Sequence, residues 1–241
     1  LCWFSPQNVD RAKVSELLDY YNAYDASAES NYMSQNFANT YFDTYNSQKI
    51  GFIREDIESK FLAHKVNDRE RAMVVTSLIY AMDRISHTCG HYDSFIRDGK
   101  YEGELMLRMP DNSYELNVNN HVYCADSNMI ASDESVDVAY LDPPYNSRQY
   151  CDAYHLLENV ARWEKPQVFG IAKKMDRTQM KSNYCKSVEA AKALRDLVLK
   201  LNSRYILLSY NNNGKKLQCR SNAKMTDEEI LSLIHISEPT R

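Results

Sequence analysis

The chain has 241 residues, of which 44% are hydrophobic and 26% charged, and a formal charge of −4. That balance is ordinary for a folded protein of one large or two small domains, and neither an internal repeat nor a low-complexity tract is visible. No apolar run approaches the ~18 residues of a membrane span, and no signal-peptide pattern opens the chain, so a cytoplasmic protein without a membrane partner is expected.

Residues 9–24 have apolar positions at helical spacing. Residues 25–47 are polar and rich in Asn, Ser and Tyr, which predicts loop with short turns. Two helices are predicted next, over 48–64 and 68–88. Asn67 is placed to cap the second, and Met73, Leu78, Ile79, Met82 and Ile85 share one broad face. A loop around His91 and Tyr92 occupies 89–100. From 104 the period changes. Strands are predicted near 104–108, 114–118, 121–126 and 136–141, helices at 152–163 and 184–201, and a strand at 204–210. That succession predicts an α/β core preceded by a helical segment.

The most informative stretch is Val136–Leu141, an apolar run that feeds Asp142-Pro143-Pro144-Tyr145. Two adjacent prolines lack N–H groups and fix φ, so neither strand nor helix continues. A stiff corner results at the carboxyl end of a strand, where ligands bind in open α/β sheets. It holds a carboxylate, a free carbonyl and an aromatic face. An exocyclic amino group on a nucleobase is a poor nucleophile, because its lone pair is delocalised into the ring. Two acceptors, such as the Asp142 carboxylate and the Pro143 carbonyl, can hold its two N–H bonds and aim the lone pair at an electrophile. Pro144 stiffens the corner, and Tyr145 can stack on the base. Such a base must first leave the duplex, which costs roughly a few kcal/mol.

The charge distribution agrees with a nucleic-acid partner. Residues 162–186 carry seven bases against two acids, and residues 204–224 carry five bases and no acid. This basic charge follows the corner, where a phosphate backbone would have to pass. Asn146, Arg148, Gln149 and Tyr150 come directly after the corner, and Lys173, Lys174 and Arg177 lie in the first basic segment. All are candidate nucleic-acid contacts, with Tyr145 as a stacking platform. Arg97 and Lys100 are weaker candidates of the same kind. The six cysteines form no C-x-x-C pair and His91 has no ligand partner at metal spacing, so no metal site is expected.

Three blocks carry a family resemblance. The first is Val122-Tyr123-Cys124-Ala125-Asp126-Ser127, followed after a helix-sized gap by VDVAYLDPPYNSRQYCDAYHLLENVARWEKP. The others are Ser86-His87-Thr88-Cys89-Gly90-His91-Tyr92-Asp93-Ser94-Phe95 upstream and Tyr205–Asn212 downstream. Together, from about Tyr32 to Ile230, they resemble the Dam-like class of DNA adenine-N6 methyltransferases of restriction-modification systems. The resemblance implies a Rossmann-like S-adenosylmethionine-dependent methyltransferase core, here partial, and methyl transfer to N6 of a flipped adenine. It implies double-stranded DNA as partner, a cognate restriction endonuclease as a candidate second partner, and a monomer as the working state. Asp126 would contact the cofactor adenine with Ser127 beside it, or simply cap the helix that follows. Target recognition would lie within a mainly helical segment, 1–100, from about residue 25, and catalysis within 101–230. Two rival readings remain: an amino-methyltransferase acting on cytosine N4 or on RNA, and a catalytically dead DNA-binding remnant.

One departure supports the remnant. The resembled enzymes cradle the methionine part of the cofactor in a glycine-rich turn. Here the six glycines, at 51, 90, 99, 103, 170 and 214, form no G-x-G pair. With no initiator Met and an adapter-like tail over 231–241, the chain reads as a fragment of a longer frame.

Overall fold

The computed structural model describes residues 8–97, 100–111, 121–133, 135–211 and 223–237. They fall into two compact units. One comprises Leu1–Val122 and Asp152–Asp176, the other Tyr123–Cys151 and Arg177–Arg241. No helix among the described residues is long and apolar enough to cross a membrane.

The first unit is helical. It contains α1 (Arg11–Ala23), α2 (Tyr32–Phe37), α3 (Thr44–Leu62), α4 (Asp68–Ile85) and, later in the chain, α7 (His155–Arg162). The start of each early helix is written in its cap. Asp10 accepts from the Lys13 N–H, Asp43 from Asn46, and Asn67 from Arg69 and Glu70. α2 falls inside the stretch expected to be loop. Its signal was the capping box of Asn31 and Ser34, too short a helix to show periodicity. Asn31 sits so close to α3 that a Cβ at Gly51 would lie 1.9 Å from its Oδ1, which explains a glycine in mid-helix. Along α4, Met73, Leu78 and Met82 are buried as their spacing predicts, with Ile79 and Ile85 partly covered. These residues join Val14, Phe37, Ile53, Val74 and Leu156 in one apolar core.

No strand forms at 104–108. Leu105 and Leu107 are buried and alternate with exposed neighbours, which is the pattern of a strand. Their backbone partners are helix side chains instead. Asn46 Oδ1 accepts from the Leu105 N–H at 3.0 Å, Asn22 Oδ1 from Leu107 at 2.8 Å, and Ser77 Oγ from Arg108 at 2.9 Å. The Asn22 amide also donates to the Leu107 carbonyl at 3.0 Å. An extended segment is thus satisfied without a neighbouring strand.

The second unit contains α5 (Ser127–Ile130), β1 (Ser135–Leu141), α8 (Ala190–Lys200), β2 (Asn202–Leu208) and α9 (Asp227–Ser237). β1 and β2 pair in parallel, with Val138 opposite Tyr205 and Tyr140 opposite Leu207. One sheet face meets Leu194 and Leu197 of α8 through Leu141 and Leu208. The other presents Val138, Tyr140, Tyr205 and Leu207 at 58–61% exposure. Parallel sheets are ordinarily covered on both faces, so this is an incomplete layer among the described residues.

Several expected elements differ. Residues 121–126 are exposed and form no strand, and the predicted strand at 114–118 lies outside the described residues. The helix predicted at 152–163 is broken at Tyr154 between α6 (Tyr150–Ala153) and α7. The one predicted at 184–201 starts as a 3₁₀ turn, Asn183–Cys185, and becomes α-helical only at Ala190. Residues 101–111 and 152–176 belong with the helical unit, beyond the expected boundary at 100. α9 runs through position 231, where a foreign tail is expected to begin, and buries Leu233.

Candidate active-site corner and nucleic-acid contacts

The Asp142–Tyr145 corner leaves β1 at its carboxyl end. The last rung of the parallel ladder runs from the Ser209 N–H to the Leu141 carbonyl at 2.8 Å. Asp142 is exposed immediately beyond it, and Pro143, Pro144 and Tyr145 are half-buried. The carboxylate therefore meets solvent, or a ligand, directly after the sheet has fixed the backbone.

Tyr210, two residues past β2, organises the far side of the corner. Its ring meets Tyr145 edge-on, with centroids 6.5 Å apart and planes at 82°. Its hydroxyl accepts the N–H groups of Met225 at 3.0 Å and Lys224 at 3.2 Å, and points its own proton at the Tyr145 carbonyl, 3.4 Å away. That carbonyl also accepts the Lys224 N–H at 3.0 Å. Burial raises the Tyr210 pKa, while the two N–H donors act in the opposite sense. Sequence reasoning reached Tyr210 only as part of a strand-and-loop block. Its role could not be read, because Met225 is distant in sequence.

The loop after the corner is tied down in the same unit. Asn146 Oδ1 accepts from the Arg148 N–H at 2.8 Å, an Asx turn. Gln149 makes a two-bond ring with the backbone of Ser182, donating to its carbonyl at 3.1 Å and accepting from its N–H at 2.8 Å. Cys185 Sγ lies 3.3 Å from the Arg148 carbonyl. Gln149 is thus engaged with protein, whereas Arg148 and Tyr150 are exposed. Arg177 stands at the start of a short 3₁₀ helix, Thr178–Met180, of this unit.

Asp126 is exposed and accepts from the Asn128 N–H at 3.0 Å, so it does cap α5, with Ser127 exposed beside it. Asn128 then fastens this turn to α8, donating to the Ala193 carbonyl and to Asp196, each at 2.8 Å. An exposed, fixed carboxylate suits an adenine amino group. The methionine end of S-adenosylmethionine finds no such match. Among the described glycines, Gly51 is locked against Asn31, Gly103 faces Ile85 at 3.2 Å, and Gly90 and Gly170 stand in open turns.

Lys173 and Lys174 lie in the helical unit, apart from the other candidate contacts. Lys174 pairs with Asp93. Burial works to raise the Asp93 carboxyl, but the hydrogen bond and charge of Lys174, with His91 and His155 nearby, hold it below the usual carboxylate range. Arg97 and Lys100 are exposed. Lys215, Lys216 and Arg220 of the second basic segment lie outside the described residues.

Comparison with known proteins agrees with this arrangement. The family model for D12 class N6 adenine-specific DNA methyltransferases matches residues 7–218. The modification methylase StsI of Streptococcus sanguinis is 38% identical over 83% of the chain and 29% of its own length. The type II methyltransferase M.FokI of Planomicrobium okeanokoites is 34% identical over 74% of the chain and 28% of its length. For M.NlaIII of Neisseria lactamica the figures are 31%, 72% and 52%. The chain therefore spans less than a third of the first two relatives and about half of the third. No solved structure matches it. A family match over nearly the whole chain, centred on an Asp-Pro-Pro-Tyr corner at the end of a parallel strand, places the protein in the D12 class of N6 adenine-specific DNA methyltransferases.

Proposed function

We propose that the protein is part of a site-specific DNA methyltransferase that methylates N6 of an adenine extruded from the duplex, within a restriction-modification system. One observation carries the reading: an exposed carboxylate and a proline carbonyl, fixed at the end of β1 beside a braced tyrosine. Asp142 and the Pro143 carbonyl take the two N–H bonds of the amino group. This turns the nitrogen lone pair toward the methyl donor and lets the proton released on transfer pass toward Asp142. Pro144 limits backbone recoil, and Tyr145 stacks on the base. Arg148, Tyr150, Lys173 and Arg177 offer phosphate and stacking contacts, with Asn146 shaping the loop that carries the first two.

S-adenosylmethionine supplies the electrophilic methyl when bound. Asp126 and Ser127 would hold its adenine end, within a partial Rossmann-like core. Among the described residues nothing fits its methionine end, so no step is derived through it.

In the full reading frame, Asp142→Ala is expected to abolish N6-methyladenine in digested DNA, read by mass spectrometry. Duplex affinity should stay within about threefold, since the exposed carboxylate contributes no attraction to phosphate. Retained methylation by this variant would remove the mechanism. N4-methylcytosine from the parent protein would move the substrate to cytosine. Duplex binding with no methylated base would favour the DNA-binding remnant, which the missing glycine turn supports.

A further inference from the structure

Residues 168–175 of the helical unit form a turn that faces two ways. Val168 packs on the apolar core and Met175 is buried. Between them Phe169 and Ile171 stand 56% and 67% exposed. The turn is firmly pinned. Phe169 and Lys174 exchange backbone hydrogen bonds of 2.8 and 3.0 Å, and the Lys173 N–H reaches the Gly170 carbonyl at 3.3 Å. The buried Tyr41 hydroxyl donates to the Ala172 carbonyl at 2.8 Å, and Lys174 is clasped by Asp93. Gly170 and Lys173 adopt left-handed backbone, φ +70° and +50°. For lysine that conformation is unfavourable, so the surrounding contacts impose it.

Single exposed apolar residues are common on protein surfaces. Two large ones on a turn braced by five separate hydrogen bonds or ion pairs are different, because the backbone prevents both from folding back. The nearby charge points to the occupant. Arg162, Lys165 and Lys174 are neutralised by Glu158, Glu55 and Asp93. Lys173, at the turn itself, has no ion pair among the described residues. A cation beside a rigid apolar tip matches a polyanion whose interior is a stack of flat rings. Proteins that distort duplex DNA insert such apolar wedges between base steps. An extruded base leaves the gap that a wedge fills.

We propose that the Phe169–Lys174 turn is a DNA wedge. Phe169, with Ile171 beside it, enters the base stack while Lys173 contacts phosphate. The proposal rests on the base-extrusion reading and specifies which side chains hold the duplex open.

The test compares the affinity of the chain for an intact duplex and for the same duplex with one abasic site, by fluorescence anisotropy at low salt. This readout needs neither turnover nor the recognition sequence. The abasic duplex already contains the gap, so wild type is expected to bind it roughly tenfold more tightly, in keeping with the stacking of one ring. Phe169→Ala with Ile171→Ala should lose that preference and keep affinity for intact duplex within about threefold, because phosphate contacts remain. Phe169→Trp should retain the preference. Equal affinity of wild type for both duplexes, or an unchanged preference in the double variant, overturns the wedge alone. Preference with no N6-methyladenine from the full reading frame overturns the methyl-transfer reading and leaves the wedge. Absence of duplex binding overturns both. Self-association that depends on Phe169, without abasic preference, would assign the tip to a second copy of the chain and overturn the wedge.

Discussion

Asp142 and Tyr210 divide the work at the corner. Asp142 is exposed and free to meet a ligand, whereas Tyr210 acts through the protein. The Tyr210 hydroxyl accepts two backbone N–H groups and is within reach of a carbonyl. In Tyr210→Phe those N–H groups lose their acceptor, which costs about 1–3 kcal/mol. The expected result in urea melts is a loss of that size. Transfer by the full reading frame should slow at unchanged KM for DNA, because Tyr145 loses its brace while phosphate contacts persist. A rise in KM with kcat unchanged would assign Tyr210 to DNA binding instead. Asp142 was legible in the sequence because its neighbours Pro143 and Pro144 are adjacent in the chain. Tyr210 was not, since the groups it joins meet only after β2 has paired with β1.

At the scale of elements, α1 and α4 are joined through Glu70. Its carboxylate completes the Asn67 capping box at 2.9 Å and takes the Lys13 ammonium at 2.9–3.0 Å, with only 2% of the side chain exposed. Burial acts to raise its pKa, but Lys13 and the N–H groups of Asn67 and Asp10 outweigh it and lower the pKa from 4.5. A lowered folded pKa means the stabilisation is complete above the unfolded value and is lost as pH falls through the folded one. The helical unit should therefore weaken below the ordinary glutamate range. Glu70→Gln should flatten that dependence, seen as a smaller drop in urea midpoint between neutral and acid pH. Glu70→Ala should destabilise by about 2 kcal/mol or more, from the lost cap and the stranded lysine. The Asn67 cap and the α4 face followed from local sequence. The Glu70–Lys13 pair did not, because it spans two helices.

At the scale of the molecule the two units are unequal. The helical unit has the larger buried cluster, from Val14 to Trp163. The second unit relies on a smaller one around Ala190, Leu194 and Leu197, with a sheet face open to solvent. Stability is shared unevenly in such a chain, and the smaller unit opens first. Hydrogen exchange should find amides in the middle of α3 and α4 protected to the level of global unfolding. Those of β1 and β2 should exchange through a smaller opening. Equal protection would mean the exposed face of Tyr140, Tyr205 and Leu207 carries no penalty.

The sequence by itself determined the local features: the caps at Asp10 and Asn67, the apolar face of α4, strand β1, and the Pro-Pro corner with its carboxylate. Each depends on neighbours a few residues apart, whose steric and hydrogen-bonding limits act before any tertiary contact forms. Tertiary structure decided the rest. Residues 104–108 alternate like a strand yet bond to Asn22, Asn46 and Ser77, and residues 152–176 pack with the helices rather than with the corner that precedes them. Gln149 and Lys174 became partners of Ser182 and Asp93, and Phe169 and Ile171 were left facing outward. Alternation and charge record only what a residue can do; which partner satisfies it depends on groups brought together from distant parts of the chain.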